Sequence, residues 1–248
     1  MARLPVLAAL VVAGGVGSRM GLDRPKQFAL LGGVPILVHT LRTLCSYAPG
    51  LDAIQLVMHP DWHSHTAHLL DTYLPGEGAR IQLSRGGATR TESVENGLHA
   101  LADRLNDRGD DTAHCLVAIQ DGVRPFLNHR LLADSYASAQ QHGSGVCAVP
   151  VKSSLRLRTP GGSQAVDRSL YYAVQTPQTF RLDLIRKAYA QRNTAPTQPY
   201  TDDASVLEAH GTPVHLCAGD YDNLKITSPA DIEVGEMILK REQVRKDN

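Results

Sequence analysis

An apolar run at residues 6–13 breaks directly into Gly14-Gly15-Val16-Gly17-Ser18-Arg19-Met20, and a Pro25-Lys26 pair follows. Glycines let the backbone take φ > 0 and approach a ligand closely. Successive exposed N–H groups in such a loop make a concavity that holds anions. Arg19 and Lys26 bring two full positive charges to the same stretch. A strand, a glycine loop and two cations suit a polyphosphate, and they place the first strand inside a sheet whose loops bind ligand.

The remaining periodicity builds that sheet. Apolar spacing predicts helices over 35–45, 62–73, 91–105 and 128–141, alternating with strands over 53–59, 80–85, 114–120 and 145–151. The nearly all-apolar 114–120 reads as a central strand covered on both faces. Strand–helix alternation implies an α/β fold, a mostly parallel twisted sheet with helices on both faces. Ligands of such sheets sit beyond the carboxyl ends of the strands, so the loops starting at Ala13, Gly86 and Asp121 are expected along one edge. Between 152 and 174 the pattern changes to two β-like segments around Pro160-Gly161-Gly162, read as a protruding β-arm. Helices at 182–192, 202–210 and 229–245 and a strand at 213–217 complete a single expected domain, 1–248.

Composition excludes several partners. Lys plus Arg and Asp plus Glu balance at 25 each, and no basic run or aromatic-basic stripe occurs, so neither nucleic acid nor a membrane surface is expected. No apolar stretch approaches the roughly twenty residues of a membrane span. Arg3 and the run after it imitate a secretory signal, but no polar spacer separates them from the glycine loop, so the run is read as a strand of a cytoplasmic protein. Cys45, Cys115, Cys147 and Cys217 are scattered without CxxC spacing, as expected of reduced thiols.

Two nucleotide fingerprints fail. GxxxxGK[ST] is absent, and in GxGxxG the third glycine falls one place late, with no acidic residue about 20 residues on. What remains is AGGxGSRM, a spacer and PKQF, followed in order by GGATRTESVENGL (86–98), QDGVRPF (120–126), VDRS (166–169), QTPQTF (175–180), TDDASVLE (201–208) and DNLKIT (222–227). With these blocks the chain resembles the cytidylyltransferases that act on 2-C-methyl-D-erythritol 4-phosphate in the non-mevalonate isoprenoid pathway. The resemblance spans essentially the whole chain and implies a Rossmann-like nucleotidyltransferase.

It implies a reaction in which a sugar phosphate attacks the α-phosphorus of CTP and expels pyrophosphate, with Mg²⁺ as cofactor. Arg19 and Lys26 would neutralise the phosphates, and backbone at Ala13, Gly14, Gly15 and Gly17 would cradle them. Gly86, Gly87 and Ala88 would let backbone approach the cytosine, with Ser93 as a hydroxyl partner and Arg90 holding the loop. Asp121, followed by Gly122, lies where a carboxylate holds Mg²⁺, directly or through water. Arg124 would either meet the acceptor's phosphate or order its loop. Ser154, Arg168, Thr176 and Lys225 would bind methylerythritol phosphate, with Arg168 on the arm and the site completed by a second subunit of a homodimer. Arg19, Lys26, Arg168 and Lys225 are thus the expected catalytic residues.

The sequence departs from the family at Ala88 (often acidic), Gln120 (usually His) and Ser154 (usually Thr), and no catalytic histidine is expected. Asp202 and Asp203 read as helix-capping residues more readily than as metal ligands. A ribitol 5-phosphate cytidylyltransferase or another sugar-phosphate nucleotidyltransferase is the alternative reading. A regulator that binds nucleotide without turnover is the non-enzymatic one.

Overall fold

The computed structural model describes residues 5–15, 24–48, 50–78, 80–192 and 199–246. The chain opens on β1 (Val6–Val12), then a hairpin of β2 (Leu30–Leu31) and β3 (Val34–Pro35), followed by α1 (Ile36–Cys45), β4 (Ala53–Met58), α2 (His63–Tyr73), β5 (Ile81–Arg85) and α3 (Arg90–Asp107). It continues through β6 (Cys115–Asp121), α4 (His129–His142), β7 (Ser144–Pro150), β8 (Leu155–Thr159), β9 (Gly162–Val166) and β10 (Tyr172–Arg181). The last elements are α5 (Leu182–Ala190), α6 (Asp203–Ala209), β11 (Leu216–Ala218) and α7 (Pro229–Lys246).

Seven strands form one sheet in the order β11-β7-β10-β6-β1-β4-β5. β1 pairs in parallel with β4 and β6, β4 with β5, and β7 with β11. Only β10 among these strands runs against its neighbours, pairing antiparallel with both β6 and β7. The mostly parallel α/β sheet is therefore as expected, and β6 is buried along its whole length in the middle of it.

Alternation along β1 explains the helical layers. Ala9, Val11 and Ala13 pack with apolar residues of α1, α2 and α4 on one face, while Ala8 and Leu10 pack with α3, α5 and α6 on the other. Period-2 side chains of a strand buried on both sides leave no polar face. A third, smaller cluster (Leu31, Ile36, Val123, Phe126, Ile226, Ile238) seats α7 beside the β2–β3 hairpin. Side chains cap the helices near the sheet's carboxyl edge. Thr89 accepts from Glu92 N–H at the start of α3, Asn128 from Leu131 N–H at α4, and Asp202 from Ser205 N–H at α6.

One element differs from the sequence reading. β10 is the longest strand of the sheet, where the sequence reading ended the arm at residue 174 and assigned no element to QTPQTF (175–180). Pro177 is tolerated there because the pairing with β7 shifts register between Val174 and Gln178. The arm itself is a separate two-stranded sheet, β8 with β9, whose pairing runs from Leu155 opposite Val166 to Thr159 opposite Gly162.

Candidate functional site

Chain order and sheet order diverge beside β1. From β1 the chain passes to β4 and β5 on one side, then returns to β6 on the other. Such a switch point opens a crevice beyond the strand ends. Ala13 and Asp121 flank it, since β1 ends at Val12 and β6 at Asp121. Ala13 N–H donates to Val57 O at 2.8 Å and Gly122 N–H to Val12 O at 2.9 Å, which fixes both loop starts. Gln27 Nε2 donates a hydrogen bond to the Ala13 carbonyl, tying the segment carrying Lys26 to the first glycines.

A cleft of about 340 Å³ fills this crevice. Gly14, Gly15 and Lys26 border it together with Gly87, Ala88 and Asp121. Gly17 and Arg19 lie outside the described residues. Gly14, Gly15, Gly86 and Gly87 all keep φ out of the positive range, so the sequence-based argument from left-handed backbone does not apply to them. What Gly87 supplies is clearance: a Cβ there would lie 2.4 Å from the Glu92 Cβ.

The 86–89 loop is held from within. Ser93 Oγ accepts from Gly87 N–H at 3.0 Å and donates to Thr89 O at 2.8 Å, while Glu92 Oε2 accepts from Ala88 N–H at 2.8 Å. Ser93 was expected to face a ligand; it borders the cleft, but its hydroxyl is engaged in shaping the loop. Gly86 and Gly122 are not on the cleft wall.

Asp121 is the electrostatic centre. It is 6% exposed. Its carboxylate lies 2.9 Å from Lys225 Nζ, 3.4 Å from Arg124 Nε and 3.5 Å from Arg90 Nε. Burial alone would raise its pKa, but Arg90, Lys225 and Arg124 override it and hold the group at about 2. Asp121 N–H donates to Thr176 Oγ1 at 3.0 Å, so β10 positions the backbone of the same residue.

Arg90 does not brace the 86–89 loop, as the sequence suggested; it reaches across to α6. Its Nη1 and Nη2 donate to Asp203 at 3.0 and 2.8 Å, and Tyr189 Oη donates to the same carboxylate at 2.6 Å. Asp203 is fully buried by this contact. Of the two acids in TDDAS, only Asp202 caps the helix. Arg124 is 8% exposed and donates through Nη1 to Asn223 O at 2.8 Å, which ties the 222–227 segment to β6.

A second cleft of about 290 Å³ opens on the other side of Asp121. Arg124, Thr176 and Val174 border it, and Arg90, Asp121 and Lys225 belong to both clefts. Four cationic side chains (Lys26, Arg90, Arg124, Lys225) thus stand against three carboxylates, Asp121 and Asp202 on the cleft walls and Asp203 paired with Arg90, an excess of one positive charge that favours anionic ligands. Arg168 and Ser154 are exposed on the arm and border neither cleft of their own chain. Arg168 instead donates to the Lys152 carbonyl.

Sequence reasoning did not single out His59, Thr89 or Gln27, all of which border the first cleft. His59 directly follows β4, so the strand-end rule that found Ala13 and Asp121 would also have found it. Among the described residues no group of three or more His, Cys, Asp or Glu side chains is arranged to hold a metal ion. No described helix is long and apolar enough to cross a membrane.

Comparison with known proteins gives one consistent result. Residues 7–241 match the family model described as 2-C-methyl-D-erythritol 4-phosphate cytidylyltransferase. A Porphyromonas gingivalis protein of that name is 42% identical over 233 residues, covering 93% of this chain and 96% of the relative. A Bacteroides thetaiotaomicron protein of the same name is 40% identical over 230 residues, with 93% and 98% covered. The solved 4-diphosphocytidyl-2C-methyl-D-erythritol synthase of Anaerococcus prevotii superposes with a TM-score of 0.79 at 27% identity, over 95% of this chain and 96% of that one. A Thermus thermophilus structure titled 2-C-methyl-D-erythritol 4-phosphate cytidylyltransferase gives 0.70 at 29%, over 94% and 98%.

Proposed function

The chain belongs to the 2-C-methyl-D-erythritol 4-phosphate cytidylyltransferase family, and from that premise we propose how its two clefts divide the reaction. The enzyme transfers the cytidylyl group of CTP to 2-C-methyl-D-erythritol 4-phosphate in isoprenoid synthesis. On our reading the first cleft takes CTP, with its triphosphate against Gly14, Gly15 and Lys26 and its base against the 86–89 loop. The second cleft takes the acceptor phosphate beside Thr176, Arg124 and Lys225. What supports this division is that Arg90, Asp121 and Lys225 border both clefts, so a phosphate in each can meet at one place.

A phosphate monoester has a second pKa of about 6, so the acceptor is already an anionic nucleophile near neutrality. It needs no general base. An oxygen of that phosphate attacks the α-phosphorus of CTP in line, and the bond to the β-phosphate oxygen breaks to release pyrophosphate. The barrier lies in bringing two polyanions together and stabilising charge on the equatorial oxygens, which makes positioning and electrostatics the main contributions. Lys26 and Arg19 would serve the nucleotide's phosphates, and Lys225 the attacking phosphate.

Mg²⁺ fits the donor set at Asp121. That carboxylate is ionised, borders both clefts and, among the described residues, stands without the cluster of acids a protein-only cage would need. Mg²⁺ is held well by one or two carboxylates plus substrate phosphates and water. When bound, it would offset the negative charge of the triphosphate. Gly87→Ala is expected to displace the 86–89 loop by the clash with Glu92 and to weaken CTP binding about tenfold, a loss of roughly 1.4 kcal/mol, measured by titration.

The arm, 152–174, is proposed to pair two copies of a single-domain, cytoplasmic enzyme. Leu157 and Leu170 are 58% and 77% exposed, and a lone hairpin is marginal in water. Across such an interface Arg168 would grip the partner's acceptor phosphate. Arg168→Ala is therefore expected to raise the KM for methylerythritol phosphate about 10–100-fold and to leave CTP affinity unchanged, the scale of one lost charge-assisted bond. Mixed with Lys26→Ala, it should regain part of the wild-type activity, because a hybrid dimer holds one intact site. Absence of rescue in subunit-exchanged mixtures would rule out shared sites.

A further inference from the structure

Cys147 and Cys217 stand 70 residues apart in sequence and opposite each other in the sheet. They are register partners on the parallel strands β7 and β11, with Sγ atoms 3.5 Å apart. Cys147 is fully buried beneath α4, whereas Cys217 is half-buried on the edge strand. Neighbouring strands lie about 4.7–4.9 Å apart, within the Cα separation of about 4.4–6.8 Å that a disulfide accepts. Closing the bond requires the sulfurs to approach to about 2.05 Å, a movement small enough for side-chain rotation plus a slight shift of the edge strand.

That edge strand is coupled to the site without slack. Gly219 N–H donates to Ala148 O at 2.8 Å, and a Cβ on Gly219 would lie 2.7 Å from Gln175 Oε1. Gln175 in turn clamps Asp220, donating to its carbonyl at 2.8 Å and accepting from its N–H at 3.1 Å. Asn223 follows, holding Arg124, and then Lys225 on Asp121.

We propose that Cys147 and Cys217 are an oxidation site, a thiol pair that a peroxide closes reversibly into a disulfide, and that closure lowers transferase activity through the 219–225 segment. Cys217 is the attacking sulfur. The hydrogen bond with Cys147 lowers its pKa, and the same bond together with burial raises that of Cys147. The Cys217 thiolate attacks one oxygen of hydrogen peroxide, the O–O bond breaks and hydroxide leaves, giving a sulfenic acid. The sulfur of Cys147 then attacks that of Cys217. Its proton joins the departing hydroxide as water, so two thiols and one peroxide give one disulfide and two waters. Cys45 and Cys115 are not rivals, because burial pushes each thiol up to about 12.

The effect on activity rests on Lys225 belonging to the acceptor cleft; the thiol chemistry does not. The test treats the full-length enzyme with hydrogen peroxide, blocks remaining thiols with iodoacetamide, and measures intact and peptide mass alongside kinetics. The expected result is loss of two hydrogens, a linked pair of peptides containing Cys147 and Cys217, and an acceptor KM raised about tenfold, the scale of a weakened charged contact. Dithiothreitol should reverse all of these changes. C217S and C147A should keep untreated activity and form no link. Alkylation of Cys147 and Cys217 themselves after peroxide, or a link from either to another chain, would overturn the site. A disulfide with unchanged acceptor KM would overturn the coupling while leaving the bond itself in place.

Discussion

Replacing Lys26 by alanine is expected to lower kcat about 10²–10³-fold, the cost of removing one preorganised charge from a developing oxyanion. CTP affinity should change far less, because only interactions stronger in the transition state than in the ground state accelerate the step. Lys26 is half-buried at the cleft wall, and its neighbour Gln27 is anchored to the Ala13 carbonyl. The charge is thus carried on a fixed turn rather than a loose chain, which is what preorganisation requires. Steady-state kinetics and CTP titration of the variant separate the two contributions. A raised KM with unchanged kcat would assign Lys26 to ground-state binding alone.

Asp121→Asn should have the second large effect, on activity and on stability together. The substitution removes the anion that Lys225, Arg124 and Arg90 share. Arg90 keeps Asp203, but Arg124 is left buried with no carboxylate, and breaking such a pair from one side costs about 3–5 kcal/mol. With Lys225 no longer held, kcat is expected to fall about 10²–10³-fold. The pH dependence carries a sign that can be checked. The folded-state pKa of Asp121, about 2, lies below its ordinary value of 3.8, so its ionisation stabilises the fold above about pH 4. That contribution, on the order of 2 kcal/mol, is lost as pH falls through the folded value. Urea unfolding should therefore show wild type losing more stability than Asp121→Asn between pH 4 and pH 2. Equal losses would mean that the three cations do not hold this carboxylate ionised.

Local pattern exposed most of the fold. The expected helix at 35–45 is α1 at Ile36–Cys45, and the strand at 53–59 is β4 at Ala53–Met58, because apolar period and chain breakers both act over a few residues. β10 escaped because its buried half is polar and contains proline. Gln178 bonds Asp202 Oδ2 at 3.0 Å and Ala204 N–H at 2.9 Å, and Thr179 bonds Ser135 at 2.8 Å. A strand whose polar side chains find partners only after folding carries no alternation to read. The candidate site divides in the same way. Ala13, Gly87 and Asp121 were legible because strand ends mark them. The Arg90–Asp203 clamp spans 113 residues and the Cys147–Cys217 pair spans 70, and neither leaves a local trace.

The proposed reaction requires CTP to enter the crevice between β1 and β6 with its phosphates against Lys26 and its α-phosphorus turned toward Asp121 and Lys225. A crystal structure of the enzyme with CTP and methylerythritol phosphate tests this directly. The expected density puts the triphosphate along Gly14 and Gly15, the cytosine at the 86–89 loop, and the acceptor phosphate by Thr176 in the neighbouring cleft. Nucleotide bound elsewhere, with Lys26 turned to solvent, would contradict it.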